Sequence, residues 1–400
     1  MHEGPGLGPD AEAFRVEVCA WMTQQLAPES TAGHDNPRDR TGLAESFERG
    51  LQKEAGRRGW LAVSVPEEFG GGGRGADFAA AFGYEAAYHD APLIDTAIVL
   101  AGAPVIAFGD AHHHEALLPL MISGQLEMCI AYTEPEAGND LGALTSTAIP
   151  LPDGRYRLNG RKTLLTGADK ADVCLTIART DPSVPARKGS SMFVVDMRAP
   201  GVSVIPQRTM VGYDLFEIVF DDVDVPPGSL LGEPGGGWRQ LAYAVEQERN
   251  GIFNLGWCQR IFDEIHAFAR AGGSGGRLID DPLVADRLAQ LWVELQIGRR
   301  SAMRLVAEEL SGTRSSTTAS IGKVVLTELA QRLAQFGTEL AGPAIGTLFG
   351  PAVDGVPAGG RFGYEYLFRF DGSIGVGANE VHRAGIAALA LGIRAERRQP

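Results

Sequence analysis

The feature that most constrains the fold is a long apolar stripe with helical spacing. It comprises Val284, Leu288, Leu291, Leu295, Ala302 and Leu305. Asp281 and Pro282, just before it, are a typical helix N-cap and first-turn pair. At 1.5 Å per residue, a helix of about thirty residues is roughly 45 Å long and needs partner helices to bury its stripe. Further helices are predicted over 316–336 and 379–391, so residues 233–400 are expected to form a C-terminal helical bundle.

The pattern between residues 126 and 232 is different. Positions 215–225 alternate, with Phe216, Ile218 and Phe220 on one face. Asn159-Gly160 separates two short runs and predicts a hairpin with a type I′ turn. Further strands are predicted at 191–195 and 202–205. This tract is therefore predicted to be a middle antiparallel β domain.

Helical spacing also dominates residues 1–125, which are predicted to form an N-terminal helical domain. Its apolar positions are Phe14, Val18, Trp21, Met22, Phe47, Leu51 and Ala55. The predicted class is thus α+β, with domains at 1–125, 126–232 and 233–400. Gly70–Gly73 lacks the Lys-Ser or Lys-Thr of a phosphate loop and predicts a flexible turn. Adjacent His112–His114 side chains cannot converge on one ion, so a solvated helix start and no metal site are expected.

Composition excludes several classes of partner. A net charge of −14 over 400 residues repels nucleic acid and anionic membranes. The four cysteines form no CxxC pair, which favours core thiols in a reducing compartment. No signal peptide is recognisable, and no apolar run reaches about 18 residues. A cytoplasmic location is expected.

Thr133-Glu134-Pro135-Glu136-Ala137-Gly138-Asn139-Asp140 is the most informative short stretch of the chain. The apolar run 128–131 leads directly into it, so a strand is expected to end in a tight polar turn. Such a turn fixes backbone N–H groups and a hydroxyl in space, as a flat ligand requires. On this stretch alone, a ligand site and an ordinary surface loop both remain open.

Together with three later stretches, this turn resembles the flavin-dependent acyl-CoA dehydrogenase superfamily. The other three are Leu158–Thr166, Gly235–Arg249 and Gly377–Arg383 followed by Ile386-Ala387. The resemblance covers about residues 45–392. It implies FAD held between the β domain and the C-terminal bundle, usually in a homodimer or homotetramer. It also implies an acyl-CoA or acyl-carrier thioester as substrate and, as electron acceptor, an electron-transferring flavoprotein.

The resemblance also assigns contact residues. The cofactor contacts that it implies are Ile130, Tyr132, Thr133, Gly138, Asn139, Leu164, Thr166, Arg270, Gly342, Gly377 and Asn379. The substrate contacts that it implies are Asn139, Glu246 and Arg249. Thr133 and Thr166 are expected near the isoalloxazine ring.

The catalytic base is expected at Glu248. In many relatives the base precedes the glycine of the fourth stretch, where this chain has Val376. Valine cannot accept a proton, so only its backbone N–H is expected to contribute. A second group of relatives carries the base on a helix just before an arginine, and Glu248-Arg249 matches that pattern. The alternative for Glu248 is a solvated or salt-bridged helix residue.

Several positions depart from the family pattern. Leu164 replaces an aromatic residue, Ala378 replaces a threonine, and Gly272 stands near an expected arginine, for which Arg270 could substitute. Two other functions therefore stay open: a catalytically silent subunit that completes a homologue's site, and a flavin monooxygenase. The acyl group, its carrier and the electron acceptor are left undetermined.

Overall fold

The computed structural model describes residues 2–31, 43–94, 96–248, 251–271, 276–342 and 360–393. The side chains of residues 29, 31 and 248 lie outside that description. The helices are α1 Pro9–Gln25, α2 Pro28–Thr31, α3 Glu45–Arg57, α4 Ala76–Tyr88, α5 Ala97–Phe108, α6 Ala111–Ile122, α7 Ala186–Gly189, α8 Gly237–Glu248, α9 Ile252–Ala271, α10 Pro282–Leu310, α11 Ser316–Ala341, α12 Arg361–Phe368, α13 Asp371–Ile374 and α14 Asn379–Ala390. The strands are β1 Met128–Ala131, β2 Thr147–Pro150, β3 Tyr156–Leu165, β4 Val173–Arg179, β5 Ser190–Asp196, β6 Val202–Arg208, β7 Asp214–Val225 and β8 Leu230–Leu231.

The chain divides into two compact units. The first contains Met1–Ala32, Gly75–Ala91 and Arg249–Pro400, and the second contains Gly33–Arg74 and Pro92–Glu248. The predicted order of helical, β and helical tracts is confirmed. The boundaries at 125/126 and 232/233 stay a prediction.

The second unit is built on one sheet with the strand order β6-β7-β3-β2-β4-β5-β8. Its pairs are antiparallel except that β1 and β2 both run parallel to β4. The predicted alternation of β7 is confirmed, since Phe216, Ile218 and Phe220 are all buried. Together with residues such as Cys129, Leu158 and Phe193, they form the apolar core of this unit.

The hairpin predicted at Asn159-Gly160 is wrong, because both residues lie inside the continuous strand β3. Gly160 has φ 149°, and a Cβ there would come within 2.1 Å of Ser146 Oγ. The register against β7 shifts at this point, as in a β-bulge. The side chain of Asn159 exchanges two hydrogen bonds with Asp222 across that shift, at 3.0 and 2.9 Å. The glycine therefore serves a close approach and not a chain reversal.

The glycine run at 70–73 is a bonded turn and not the flexible one expected. The N–H groups of Gly71, Gly72 and Gly73 donate to the carbonyls of residues 66, 62 and 65, at 2.9–3.2 Å. A Cβ at Gly71 would come within 2.2 Å of the Val65 carbonyl oxygen. The glycines are needed because the chain folds back on itself so closely.

The expected solvated helix start at His112–His114 holds only in part. Asp110 caps α6 by accepting the N–H of His113, at 3.0 Å, and the His113 ring contacts the same carboxylate at 2.7 Å. His113 is buried, while His112 is exposed. The central histidine therefore belongs to the cap.

The first unit is a helical bundle, as the apolar stripe predicts. Asp281 caps α10 by accepting the N–H of Leu283, at 2.8 Å. Five of the six stripe positions are fully buried and Val284 partly so. Helices α9, α10 and α11 pack pairwise, and α4 packs on α9. Their shared core comprises Leu255, Ile261, Leu291, Leu329 and further apolar residues.

Candidate functional site

The polar turn after β1 is held by a buried carboxylate. Glu134 and Ala137 exchange backbone hydrogen bonds, each 3.1 Å long, which closes the turn. The Glu134 side chain accepts from the N–H and hydroxyl of Thr145, at 2.6 and 2.8 Å, and from the Ser146 N–H at 3.1 Å. The turn is therefore held in one conformation by hydrogen bonds to its own buried carboxylate.

Lys162 is the counter-charge of that carboxylate. Its ammonium is fully buried and donates to Glu134, to the Ile177 carbonyl, both at 2.8 Å, and to the Tyr132 carbonyl at 3.3 Å. Burial alone would raise the pKa of Glu134, but the charge of Lys162 and the hydrogen bonds outweigh it and lower that pKa to about 2. The pair fixes β1, β3 and the turn together.

The residues of the turn predicted to contact ligand lie at its surface. Thr133 is half-buried and its carbonyl accepts from the Thr163 N–H at 3.0 Å, while Gly138 and Asn139 are exposed. A Cβ added at Gly138 would meet nothing within 4 Å. Ile130 is half-buried in β1 and Tyr132 is buried, so any contact from Tyr132 would come from its backbone. The surface of this turn is open to a ligand.

Leu164 has an unusual conformation beside that turn. It lies where the register of β3 against β7 shifts again, with φ 59°, and its side chain is 60% exposed. A left-handed leucine is strained, and bulges often re-aim a side chain next to a site. Thr166, two residues later, is exposed. For the hydroxyls of Thr133 and Thr166, the structure records no hydrogen bond to a described residue.

Helix α8 is anchored at its start. A Cβ at Gly237 would approach the carbonyl oxygen of Ser190 to 2.8 Å, so the helix begins in close contact with β5. Gln240 donates to the Leu231 carbonyl at 2.6 Å, and Tyr243 packs edge-on against Phe108. Because its first turns are fixed, the direction of α8 is fixed as well.

Glu248 is the last residue of α8. Eleven residues after Gly237, at 1.5 Å each, place it about 16 Å along the helix. Its side chain and the whole of Arg249 lie outside the described residues. Glu246 is half-buried on the same helix. The roles of all three stay predictions.

Within the first unit, residues 375–379 form a strained loop. Val376 has φ 54° and is 40% exposed, which is a rare conformation for a β-branched residue. The ring Nε2–H of His382 donates to the Val376 carbonyl, at 3.1 Å, and Lys323 donates to the Gly377 carbonyl at 2.7 Å. Within the described part of the chain, no group accepts a hydrogen bond from the Val376 N–H. The loop thus presents a fixed donor.

Asn379 supports this loop from inside the bundle. Its side chain is buried, accepts from Lys323 at 2.8 Å, and donates to Thr327 and Glu328, both at 3.1 Å. An amide so fully engaged holds the loop in place. Its predicted direct contact with the cofactor stays a prediction.

Two other predicted cofactor positions lie at helix ends. Arg270 is exposed in the last turn of α9, and residues 272–275, including Gly272, lie outside the described ranges. Gly342 caps α11 with φ 61°, and residues 343–359 are likewise not described. Arg270 can reach solvent, as a phosphate ligand must.

The donor set suits a flavin. A flat tricyclic ring needs apolar cover and hydroxyl or N–H partners at its rim, and the pyrophosphate needs a cation. In the second unit, Leu164 offers the cover, and Thr133 and Thr166 offer hydroxyls, so these three residues fit a flavin ring. Arg270, in the first unit, is a cation of the kind that binds a pyrophosphate, and its contact with the cofactor stays a prediction.

Family models match nearly the whole chain. The acyl-CoA dehydrogenase N-terminal domain matches residues 8–125, the middle domain 129–223 and the C-terminal domain 235–391. The acyl-CoA dehydrogenase FadE29 of Mycobacterium tuberculosis is 31% identical over 340 residues, 84% of this chain and 85% of that protein. FadE26 of the same organism is 30% identical over 400 residues, 96% and 97% of the two chains.

A solved structure described as the Tcur3481-Tcur3483 steroid ACAD superposes with a TM-score of 0.87 at 26% identity. The match covers 98% of this chain and 100% of that one. In the part of the chain that the structure describes, no helix has the length and apolarity to cross a membrane.

Sequence reasoning missed the supports of the site. Nothing in the spacing of these supports, Lys162, Lys323 and His382, indicates that they are buried. For Lys162 the one available signal is that a lysine occupies an inward-facing position in a strand whose other inward-facing residues are apolar. Such contacts are set by tertiary packing.

Proposed function

The chain belongs to the acyl-CoA dehydrogenase family, whose members are FAD-dependent oxidoreductases acting on CH–CH bonds, and we propose that it desaturates an acyl thioester between Cα and Cβ. Glu248 is the proposed base for the α proton. The Val376 N–H is proposed to donate to the thioester carbonyl oxygen. Arg249 and Glu246 are proposed substrate contacts beside the base, with Asn139 toward the acyl carrier.

The observation that carries the proposal is the loop at Val376. A thioester α proton is too weakly acidic for a carboxylate in water, so the developing negative oxygen needs a preorganised donor. The Val376 N–H has no hydrogen-bond acceptor among the described residues. The loop itself is held by His382, which donates to the Val376 carbonyl, and by Lys323, which donates to the Gly377 carbonyl. A donor fixed in this way does not need to reorganise during the reaction.

The proposed base stands at the end of α8. A carboxylate becomes a stronger base when it is removed from water, because the charged form is then less stabilised. Glu248 ends a helix whose start is fixed by Gly237 and Gln240, which supports a base carried on an anchored helix. Burial of the site by bound substrate would raise its basicity further.

FAD, when bound, supplies the hydride acceptor that no side chain can provide. Thr133 and Thr166 are the residues proposed to bind its ring, with Leu164 as apolar cover. Gly138, Arg270, Gly342 and Gly377 are proposed for the remaining contacts, and Asn379 supports the loop.

We propose coenzyme A as the acyl carrier and a bulky acyl group as substrate. The net charge of −14 disfavours an acidic carrier protein. The structural relative described as a steroid ACAD supports a bulky acyl group. A homodimer or homotetramer with an electron-transferring flavoprotein as acceptor completes the proposal.

The deciding experiment is anaerobic reduction of the purified yellow protein by a panel of saturated acyl-CoA thioesters. Linear, branched and steroid-side-chain thioesters are compared by the loss of flavin absorbance. In Glu248→Gln, flavin content should stay near one per chain, while the reduction rate should fall by about 10²–10⁴-fold. Glu233→Gln, an exposed carboxylate just before α8, is the matched control and should reduce at the wild-type rate.

Unchanged reduction in Glu248→Gln would refute the assignment of the base. A colourless wild-type protein that gains flavin only with a homologue would instead favour the silent subunit. Hydroxylated product from NADH-reduced flavin and oxygen would favour a monooxygenase.

A further inference from the structure

Four side chains of metal-ligand type, none of them proposed as a flavin or thioester contact, converge in the first unit. They are His2 from the N-terminal arm (residues 2–8), Cys19 of α1, and Glu85 with His89 of α4. One ligand atom from each lies within 4.8 Å of every other. No metal site is predicted from the sequence, in which these four residues are spread over positions 2–89 and form no recognisable motif.

Two separations within the cluster suit tetrahedral coordination. Zinc bonds of 2.0–2.3 Å imply distances of about 3.3–3.8 Å between neighbouring ligand atoms. His89 Nε2 lies 3.7 Å from Cys19 Sγ and 3.4 Å from Glu85 Oε2. His2 Nε2 lies 2.9 Å from the other oxygen of Glu85. Two imidazoles, a thiol and a carboxylate are a ligand set that zinc prefers.

The carboxylate of Glu85 provides an independent sign that a ligand is required. The side chain is fully buried, and its Oε2 lies 3.4 Å from the His89 ring nitrogen but accepts no hydrogen bond of ordinary geometry from a described residue. A buried anionic oxygen without a well-formed hydrogen bond is costly. The same oxygen faces His89 and stands among the other candidate ligands. A cation at this point would satisfy it.

The charges around the cluster also balance with a divalent ion. Arg15 donates to Glu85 and, at 2.7–3.0 Å, to Glu12. A zinc ion and Arg15 bring three positive charges, and the two glutamates with a Cys19 thiolate bring three negative ones. A buried site of this kind is then close to neutral.

The arm that carries His2 is firmly docked in the same unit. The Glu3 and Gly4 carbonyls accept from Tyr84 at 2.6 Å and from Arg299 at 2.5 Å. The His2 ring stacks on Tyr88 with 3.4 Å between ring centroids. The imidazole is therefore held in place before any metal arrives, as a preformed ligand should be.

We propose that His2, Cys19, Glu85 and His89 form a structural Zn²⁺ site that fastens the N-terminal arm to α1 and α4. All four positions are filled by protein, which is the pattern of a structural site and not of a catalytic one. The site is independent of the proposed desaturation.

The test uses the full-length flavoprotein. After dialysis against metal-free buffer, elemental analysis should find one zinc per chain. Replacement by Co²⁺ should give a thiolate-to-cobalt absorption in the near ultraviolet, read as a difference spectrum against the cobalt-free protein. Cys19→Ser should lose this band. Cys258→Ser is the matched control, a buried thiol of the same unit that donates to the Leu326 carbonyl, and it should keep the band.

His2→Gln guards against a folding defect, because it changes a residue of the arm and leaves the sequences of α1 and α4 intact. It should lower zinc affinity by more than the ~10–100-fold typical of losing an outer-shell partner. A chelator should lower the unfolding temperature of wild type but not of His2→Gln. The proposal is overturned if wild type holds no zinc and gives no cobalt band, or if the band survives in both Cys19→Ser and His2→Gln. His112→Ala should leave zinc content unchanged; a loss of zinc in this variant would identify the stretch His112–His114 as the true ligand and overturn the proposal.

Discussion

At the scale of single residues, left-handed backbone occurs at two of the predicted contact positions. In the described ranges, the non-glycine residues with positive φ are Asp90, Leu164, Asp222 and Val376. Aspartate tolerates this conformation, whereas leucine and valine do not. Leu164 and Val376 are also largely exposed and apolar. Backbone strain at exposed residues does not improve packing, and such strain is typically found at positions that bind a ligand.

Replacing Val376 with glycine separates the role of the backbone from that of the side chain. Because glycine adopts φ 54° without strain, Val376→Gly should raise the free energy of unfolding by about 1 kcal/mol. The N–H remains, so flavin reduction by substrate should persist. Urea denaturation and stopped-flow reduction measure the two effects. Val381→Gly, in the regular part of α14, is the control and should cost about 0.5–1 kcal/mol. Destabilisation of both variants alike would show that Val376 is unstrained.

Gly138 tests the ligand surface without disturbing the fold. A Cβ there meets nothing within 4 Å, and its φ is not positive, so the apoprotein of Gly138→Ala should be as stable as wild type. If FAD lies against this position, its dissociation constant should rise at least about tenfold, a cost near 1.4 kcal/mol. Equilibrium titration of the apoprotein with FAD measures it. Gly50→Ala, equally open but within α3, should bind FAD as wild type does. Equal affinity in all three proteins would remove Gly138 from the site.

At the scale of elements, the sequence predicts periodic features well and close approaches poorly. The stripe of α10 identifies the helix and its cap because burial on one face enforces a period of 3.6. Asn159-Gly160 misleads, since the same dipeptide serves a tight turn or a contact with Ser146, and only the fold decides. For the same reason the sequence indicates the turn at 133–140 but not the Lys162 that supports it.

The pair of Glu134 and Lys162 should dominate the acid sensitivity of the sheet. The pKa of Glu134 lies near 2 in the fold, below its ordinary value of 4.5. Its stabilisation, of the order of 3 kcal/mol, is therefore complete above pH 4.5 and lost as the pH falls toward 2. Lys162→Met leaves the carboxylate unpaired and should cost about 3–5 kcal/mol near neutral pH. Below pH 4.5 the gap to wild type should narrow, because protonation neutralises Glu134 in the variant.

Chemical denaturation over a pH series measures this gap. Arg161→Met, next to Lys162 but 60% exposed and paired with Glu217, should cost less than about 1 kcal/mol at every pH. A gap for Lys162→Met that stays constant across the series would mean that Glu134 is not the titrating partner.

At the scale of the whole molecule, closeness in the sequence does not determine which unit an element belongs to. Helices α1 and α4 come from the first hundred residues, yet they share a compact unit with the bundle of α9, α10 and α11. Local periodicity predicts that these helices exist. It cannot predict which unit buries their apolar faces, because that depends on contacts between residues far apart in the chain.

Each unit has a core of its own, so the flavin-free chain should unfold in two calorimetric transitions. Leu291 lies in the core of the helical unit and Ile218 in that of the sheet unit, and both are fully buried. Leu291→Ala and Ile218→Ala should each cost about 2–5 kcal/mol, and each should lower only the transition of its own unit. Scanning calorimetry of the three apoproteins, with far-ultraviolet circular dichroism to identify the helical transition, makes the comparison. A single transition that both substitutions lower equally would show that the two cores unfold as one.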